Sequence, residues 1–187
     1  MLIGMTGGLR VGKDTAFKLI QEENPSVKRI AFADKMKESA AAILDISVAE
    51  LNHLKSHPKV KLSLYDPLST VSVSLSMRQF LQRYGTEAHR DIFGNNFWVD
   101  MSLPRDFSHD NDIVIVTDVR FEEEIKRIRE LDGYIIKISR DNRHSVDSHI
   151  SEQQIDDYDF AIENNSSLLN YKKGLLDILG FINDNPS

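Results

Sequence analysis

Residues 1–15 read MLIGMTGGLRVGKDT, and the way this stretch is read decides the fold. Leu2 to Met5 form the short apolar run of a buried strand. Ala16, Phe17, Leu19 and Ile20 then recur on one side of a helix. Between strand and helix, Gly7-x-x-x-x-Gly12-Lys13 has the spacing of a loop that cradles phosphate. Glycine lets successive backbone N–H groups turn toward one point, and a helix starting there aims the positive end of its dipole at the same place. The cradle comprises Gly7, Gly8, Leu9, Arg10, Val11 and Gly12, and Lys13 adds a mobile cation able to reach terminal phosphates. The usual motif sets Ser or Thr directly after the lysine, where its hydroxyl holds a metal ion. Asp14 stands there instead, and the hydroxyl comes one residue later, at Thr15. Asp14 could touch the metal through water, Thr15 could serve, or other groups could hold it. The bland alternative is a glycine-rich turn that binds nothing. Strand, loop and helix in the required order weigh against it.

At 187 residues the chain suits one domain, residues 1–187, with room for an inserted flap. Hydrophobic residues at 41% and charged residues at 28% fit a soluble globular protein. The apolar N-terminus runs straight into the loop, without the basic–apolar–small order of a secretory signal, and no run is long enough to span a bilayer. There is no cysteine, hence no disulfide and no thiolate metal site. These features point to the cytoplasm and away from membranes. A net charge of −6 argues against a general nucleic-acid binder, which needs a basic face, but leaves a small phosphorylated ligand open.

Further along, strand-like and helix-like pieces alternate, which predicts a doubly wound α/β domain of five parallel strands with helices on both faces. VKRIAFAD reads as a second strand ending at Asp34, succeeded by a helix over 35–44. Ser47 and Glu50 have capping-box spacing. Residues 59–76 alternate apolar and polar positions on either side of Tyr65-Asp66-Pro67, the pattern of a hairpin or flap. From Ser76 the helical period places Met77, Phe80, Leu81, Tyr84, Ala88 and Ile92 on one face, with Arg78, Gln82, Gly85 and His89 along the flank. A glycine inside a helix costs roughly 1 kcal/mol, so at Gly85 either the helix breaks or something approaches the backbone closely. NNFWVDMSL is a further helix stopped by Pro104; DIVIVT is a buried strand ending at Asp118; YIIKIS and DFAI supply the last two strands.

In such sheets, ligands bind beyond the carboxyl ends of the strands. The loop, Asp34, Asp118 and Arg140 fall at those ends. A carboxylate there can hold magnesium or its waters beside a phosphate loop, although aspartate also ends strands for turn chemistry alone. Phosphoryl transfer is carried by positioning and cations. Arg140 and Arg143 lie in a polar segment suited to a closing lid, and Arg78 and Arg90 flank Gly85-Thr86 as a clamp for an acceptor phosphate; for each arginine alone, a solvated surface position is the default. His53 and His57 have metal-ligand spacing without a third ligand, and Trp98 reads as core more readily than as a stacking platform.

GGLRVGKDT, FADKMK, RQFLQRYGTEAHRDIFGNNFWVD, TDVRFEEE and SHISE together resemble the deoxynucleoside monophosphate kinases of tailed bacteriophages, over nearly the whole chain. The middle block is the most specific of these. The resemblance implies a nucleoside monophosphate kinase-like fold with an acceptor-binding insertion over about 34–104 and a lid over about 140–155. It implies transfer of the γ-phosphate of ATP, with Mg2+, to a deoxynucleoside monophosphate. By position, Lys13 and the loop amides would hold ATP, with Asn164 passing the adenine. Asp34, Lys35, Arg78, Gly85, Thr86, Arg90, Trp98 and Glu152 would line the acceptor site. Asp118 and Arg120 would sit beside the transferred group, with Arg140 and Arg143 on the lid; His149 and Ser151 match the lid motif. Asp14, Thr15 and Asp118 are the candidate metal ligands. Kinases of this kind include homodimers, though no interface is visible in the sequence. Rival readings are a phosphate-loop kinase of another phosphorylated acceptor, such as dephospho-coenzyme A or phosphomevalonate, and a nucleotide-dependent switch.

Overall fold

The computed structural model describes residues 1–65, 72–103, 113–141 and 155–185. These form two compact units, Met1–Phe32 with Leu103–Ser187, and Ala33–Ser102.

The first unit is a five-stranded sheet built from β1 (Leu2–Thr6), β2 (Lys28–Ile30), β5 (Val114–Val119), β6 (Tyr134–Ser139) and β7 (Phe160–Glu163). They lie in the order β2-β5-β1-β6-β7, every neighbouring pair parallel, as the alternating pattern predicts. β1 is buried along its whole length because helices cover both faces of the sheet. On one face Ile3, Met5, Ile115, Ile136 and Ile138 pack against Phe17 and Ile20 of α1 (Lys13–Glu23) and Tyr171, Leu175 and Ile182 of α8 (Leu168–Asp184). On the other, Gly4 leaves just enough room for Ile128 of α7 (Glu122–Glu130); a Cβ there would lie 2.7 Å from its Cδ1. α7 suits its dipole, with Glu122, Glu123 and Glu124 in its first turn and Arg127 and Arg129 in its last. Burial works against the charge of Arg129, but Asp159 and Asp157 more than offset it and hold its pKa above the ordinary value. That pairing ties α7 to the approach to β7.

The second unit contains α3 (Val48–Ser56), the hairpin β3 (Lys61–Tyr65) and β4 (Ser72–Ser76), α4 (Met77–Gly85), a π-helical turn (Thr86–Arg90), α5 (Asp91–Phe93) and α6 (Phe97–Ser102). It also holds all but the first residue of α2 (Phe32–Ile43). Ala40, Ala41, Leu51, Met77 and Leu81 form its core. The expected hairpin is present, antiparallel, with Lys61 opposite Ser76; its turn at Pro67 lies outside the described residues. Serine caps start α3 and α4: Glu50 N donates to Ser47 Oγ at 3.1 Å and Gln79 N to Ser76 Oγ at 3.3 Å.

Two expectations are corrected. The second strand stops at Ile30, not Asp34, because the backbone N–H of Phe32 donates to Asp118 Oδ1 at 2.9 Å and opens α2 there. Asp34 therefore sits in the first turn of a helix rather than at a strand end. The helix from Ser76 runs through Ile92, but not as one regular α-helix. It is α over Met77–Gly85, π over Thr86–Arg90 and α again over Asp91–Phe93, and the π turn rotates the residues beyond Gly85, leaving Ala88 exposed and Ile92 67% exposed rather than on the buried face. Gly85, expected on the flank, is buried.

Among the described residues no helix is long and apolar enough to cross a membrane.

Candidate active site

The loop between β1 and α1 has the backbone its glycines allow. Gly7 and Gly12 have φ of 139° and 113°, and Arg10 takes the left-handed conformation at 61°. The space is equally restrictive, since a Cβ on Gly7 would strike the carbonyl of Ile138 and one on Gly12 the side-chain amide of Asn164. Lys13 folds back over the loop, donating Nζ–H to the carbonyls of Gly7 and Gly8 at 2.6 and 2.8 Å.

α1 starts without a side-chain cap on its amides. α3, α4 and α8 each carry a serine that supplies one; for α8 Asn170 N donates to Ser167 Oγ at 3.2 Å. A glycine before the helix offers no side-chain cap, and a helix start of this kind is a natural place for an anion.

Distant residues hold the loop in shape. Asn164, just after β7, donates Nδ2–H to the carbonyl of Val11 at 2.9 Å, and its own N–H donates to Ser139 O at 2.8 Å. Tyr171 of α8, 1% exposed, donates its hydroxyl to Gly12 O at 3.3 Å. Burial pushes its phenol up to about 12, so it remains a neutral donor through the physiological range. No motif announces Tyr171, which falls among the apolar positions of α8.

At the carboxyl end of β5, Asp118 is half-buried and its Oδ1 is engaged by Phe32 N. Arg120 is exposed; its backbone N–H, with that of Phe121, donates to the buried carboxylate of Glu124 at 2.7 and 3.2 Å. Glu124 thus shapes the turn after β5, a role readable only as the third glutamate of the FEEE run. Arg140 comes directly after β6 and is exposed. Asp14 is exposed and Thr15 half-buried on the first turn of α1. Arg143, His149, Ser151 and Glu152 lie outside the described residues.

In the second unit, the helix passes from α to π at Gly85 without breaking, and the second alternative posed by its sequence holds: its backbone is approached closely, by Met36 Sδ at 2.6 Å from where a Cβ would stand. The π turn interrupts the regular ladder: Asp91 N–H donates to Thr86 O, five residues back. The two preceding carbonyls take ring donors. Trp98 Nε1–H donates to Gly85 O at 3.0 Å, and His89 Nδ1 bonds Tyr84 O at 2.6 Å. Trp98 is 4% exposed, packed within the second unit while bordering a cavity. Beside it a cavity of about 220 Å³ is lined by Lys35, Glu38, Ser39, His89, Phe97, Trp98 and Met101. Lys35 pairs with Glu38 at 2.9 Å and Asp34 with Lys37 at 3.3 Å. Arg78 and Thr86 are exposed and Arg90 half-buried. The rings of His53 and His57 lie tilted with centroids 4.2 Å apart, and His57 Nδ1 bonds the carbonyl of His53, so the pair finishes α3.

The chain can be set beside known proteins on this geometry. It is 30% identical over 180 residues to a putative deoxynucleotide monophosphate kinase of Acanthamoeba polyphaga mimivirus, covering 90% of each chain. It is 27% identical over 111 residues to the deoxynucleotide monophosphate kinase of Escherichia phage RB69, a match spanning 57% of this chain and 46% of the phage protein. A solved structure from Thermus thermophilus, 13% identical, superposes at a TM-score of 0.50 over 97% of both chains, a likeness of fold. The model of the family described as deoxynucleotide monophosphate kinase matches residues 61–175, from β3 into α8. A family match over more than half of the chain, joined to a relative aligned along nine-tenths of it, leaves one assignment: the chain belongs to the deoxynucleotide monophosphate kinase family.

Proposed function

We propose that this protein transfers the γ-phosphoryl group of ATP to the phosphate of a deoxynucleoside monophosphate, yielding ADP and the diphosphate. The observation that carries the reading is the phosphate loop, with a helix start left uncapped and Lys13 poised on loop carbonyls it can exchange for phosphate oxygens. Transfer of this kind needs little covalent participation from the protein, and rate comes from positioning and from cations around the transferred group. In this reading the amides of residues 7–13 and Lys13 hold the ATP phosphates. Asn164 belongs to the ATP site through its grip on Val11. Asp34, Lys35, Arg78, Gly85, Thr86, Arg90 and Trp98 belong to the acceptor side. Arg120 and Arg140, both exposed, and Arg143 supply positive charge to the phosphates, and Glu152 joins the acceptor contacts. The acceptor phosphate oxygen is already anionic, so the attack needs no strong general base.

The donor set suits magnesium: Asp14, Thr15 and Asp118 offer hard oxygens. Three or fewer protein oxygens are what this ion takes when phosphates and water complete its shell. Bound there, it would offset charge on the β- and γ-phosphate oxygens. The hydrogen bond from Phe32 N fixes the direction in which Asp118 presents its carboxylate.

The test is ADP release from ATP and magnesium across a panel of deoxynucleoside and ribonucleoside monophosphates, with Lys13→Ala as control. Turnover on deoxynucleotides, lost in the variant, is the expected result. ATP binding without turnover on any acceptor would sink the proposal.

A further inference from the structure

A cavity in the second unit is lined by the rings of His89, Phe97 and Trp98 together with Lys35, Glu38, Ser39 and Met101. Its histidine is fixed more firmly than a surface imidazole. His89 Nδ1 lies 2.6 Å from Tyr84 O. A carbonyl can only accept, so Nδ1 must carry the proton of that bond. In the neutral ring the lone pair is then on Nε2, and the tautomer is set by the backbone. Ring neighbours hold the plane, with centroids 4.4 Å away for Tyr84, 4.8 Å for Trp98 and 5.2 Å for Phe97. Turning the ring over would break the bond to Tyr84 O and leave that carbonyl without its ring donor. Nε2 has no protein partner among the described residues, yet it is not among the side-chain atoms sealed from solvent. His89 lies in the π turn, and its ring reaches back to a carbonyl five residues earlier in the chain.

We infer that His89 is a specificity-determining residue of the acceptor site, its Nε2 accepting a hydrogen bond from an N–H on the base-pairing edge of the nucleotide whose base enters this cavity. The inference rests on the kinase reading, which puts the acceptor in this unit. A pocket of about 220 Å³ suits a single base rather than a whole nucleotide, and aromatic walls suit a flat ring. An oriented acceptor in such a pocket penalises a base that brings no donor, because the bound base displaces water from Nε2 and leaves its lone pair without a partner.

The test compares the best natural deoxynucleoside monophosphate with purine 2′-deoxyriboside monophosphate, whose base has no N–H on that edge. Wild type, His89→Phe and His89→Gln are measured for kcat, KM and, by calorimetry, direct binding. Wild type is expected to favour the natural nucleotide by about 10- to 100-fold, the range a single buried hydrogen bond gives. His89→Phe should lose most of that preference, chiefly through KM and Kd, with little change on the donor-less analogue. His89→Gln, which keeps an acceptor, should recover part of it. Equal losses on both nucleotides in His89→Phe would reduce the ring to packing and overturn the inference. So would a wild-type protein that does not distinguish the two nucleotides, a result that needs no variant to fold. Binding that shows the base preference without any turnover would refute the kinase reading and keep the role of His89; turnover without the preference would do the reverse. Neither binding nor turnover would overturn both.

Discussion

Gly12→Ala probes how the phosphate loop is held. Gly12 has φ 113° and ψ 20°, a conformation that costs a residue with a Cβ about 1–3 kcal/mol. The new methyl would also run into Asn164 Nδ2, the group that donates to Val11 O at 2.9 Å. Displacing that amide forfeits a hydrogen bond of about 1 kcal/mol. The single variant should therefore lose about 2–4 kcal/mol. Asn164→Ala alone should lose about 1 kcal/mol. In the double variant the collision is gone and the bond is already absent, so only the backbone cost is added. Its total should equal that of Gly12→Ala, a coupling of about 1 kcal/mol between the two sites. Equilibrium urea unfolding resolves this, since 1 kcal/mol moves the midpoint by roughly 0.5 M at a slope near 2 kcal/mol per molar. Strict additivity would refute the reasoning: the methyl and the Asn164 amide would not then be competing for the same space.

Buried donors give two more expected outcomes. The Tyr171 phenol keeps its proton in the fold up to about 12, while the unfolded chain gives it up near 10. The unfolded state thus binds fewer protons in that window, and stability should fall between pH 10 and 12 by up to about 3 kcal/mol, with no contribution below pH 10. Urea titrations at a series of pH values should show a shallower alkaline loss in Tyr171→Phe; identical slopes would dismiss the burial. Trp98→Phe deprives Gly85 O of its ring donor inside the second unit and should cost about 1–3 kcal/mol by thermal unfolding, against a loss below about 0.5 kcal/mol if the carbonyl finds another partner.

The sheet was legible because parallel strands buried on both faces write themselves as apolar runs: β1, β5 and β6 all read that way. The loop was legible because phosphate binding restricts residue type at fixed spacing. The end of β2 was not, since it is stopped by a hydrogen bond from Phe32 to Asp118, 86 residues on, and IAFAD carries no breaker of its own. Nor was the π turn in the helix after Ser76. A π turn adds one residue without any punctuating Gly-Pro pair, so the apolar period runs on through it in the sequence while the helix itself has turned Ala88 and Ile92 outward. Gly85 did mark the place, by its cost. Tyr171 gave no sign, because a phenol at a core position of α8 looks like any other apolar residue until its hydroxyl is seen to reach Gly12 O.

The loop is therefore specified twice. Its glycines permit the curled backbone, but permission alone leaves a flexible peptide whose ordering would count against phosphate affinity. The groups that hold the curl come from the far end of the chain: Asn164 and Tyr171 bind the carbonyls of Val11 and Gly12 from 153 and 159 residues away, and Ile138 O closes the space beside Gly7. The carbonyls of Val11 and Gly12 are drawn to these partners, which holds the loop in its curl, and α1 starts without a side-chain cap from the residue before it. The entropy of ordering the loop is met when β6, β7 and α8 assemble, before any nucleotide arrives. The motif near the N-terminus and the last strand and helix thus form one functional element, and the site depends on the C-terminal third of the chain as directly as on the glycines that announce it.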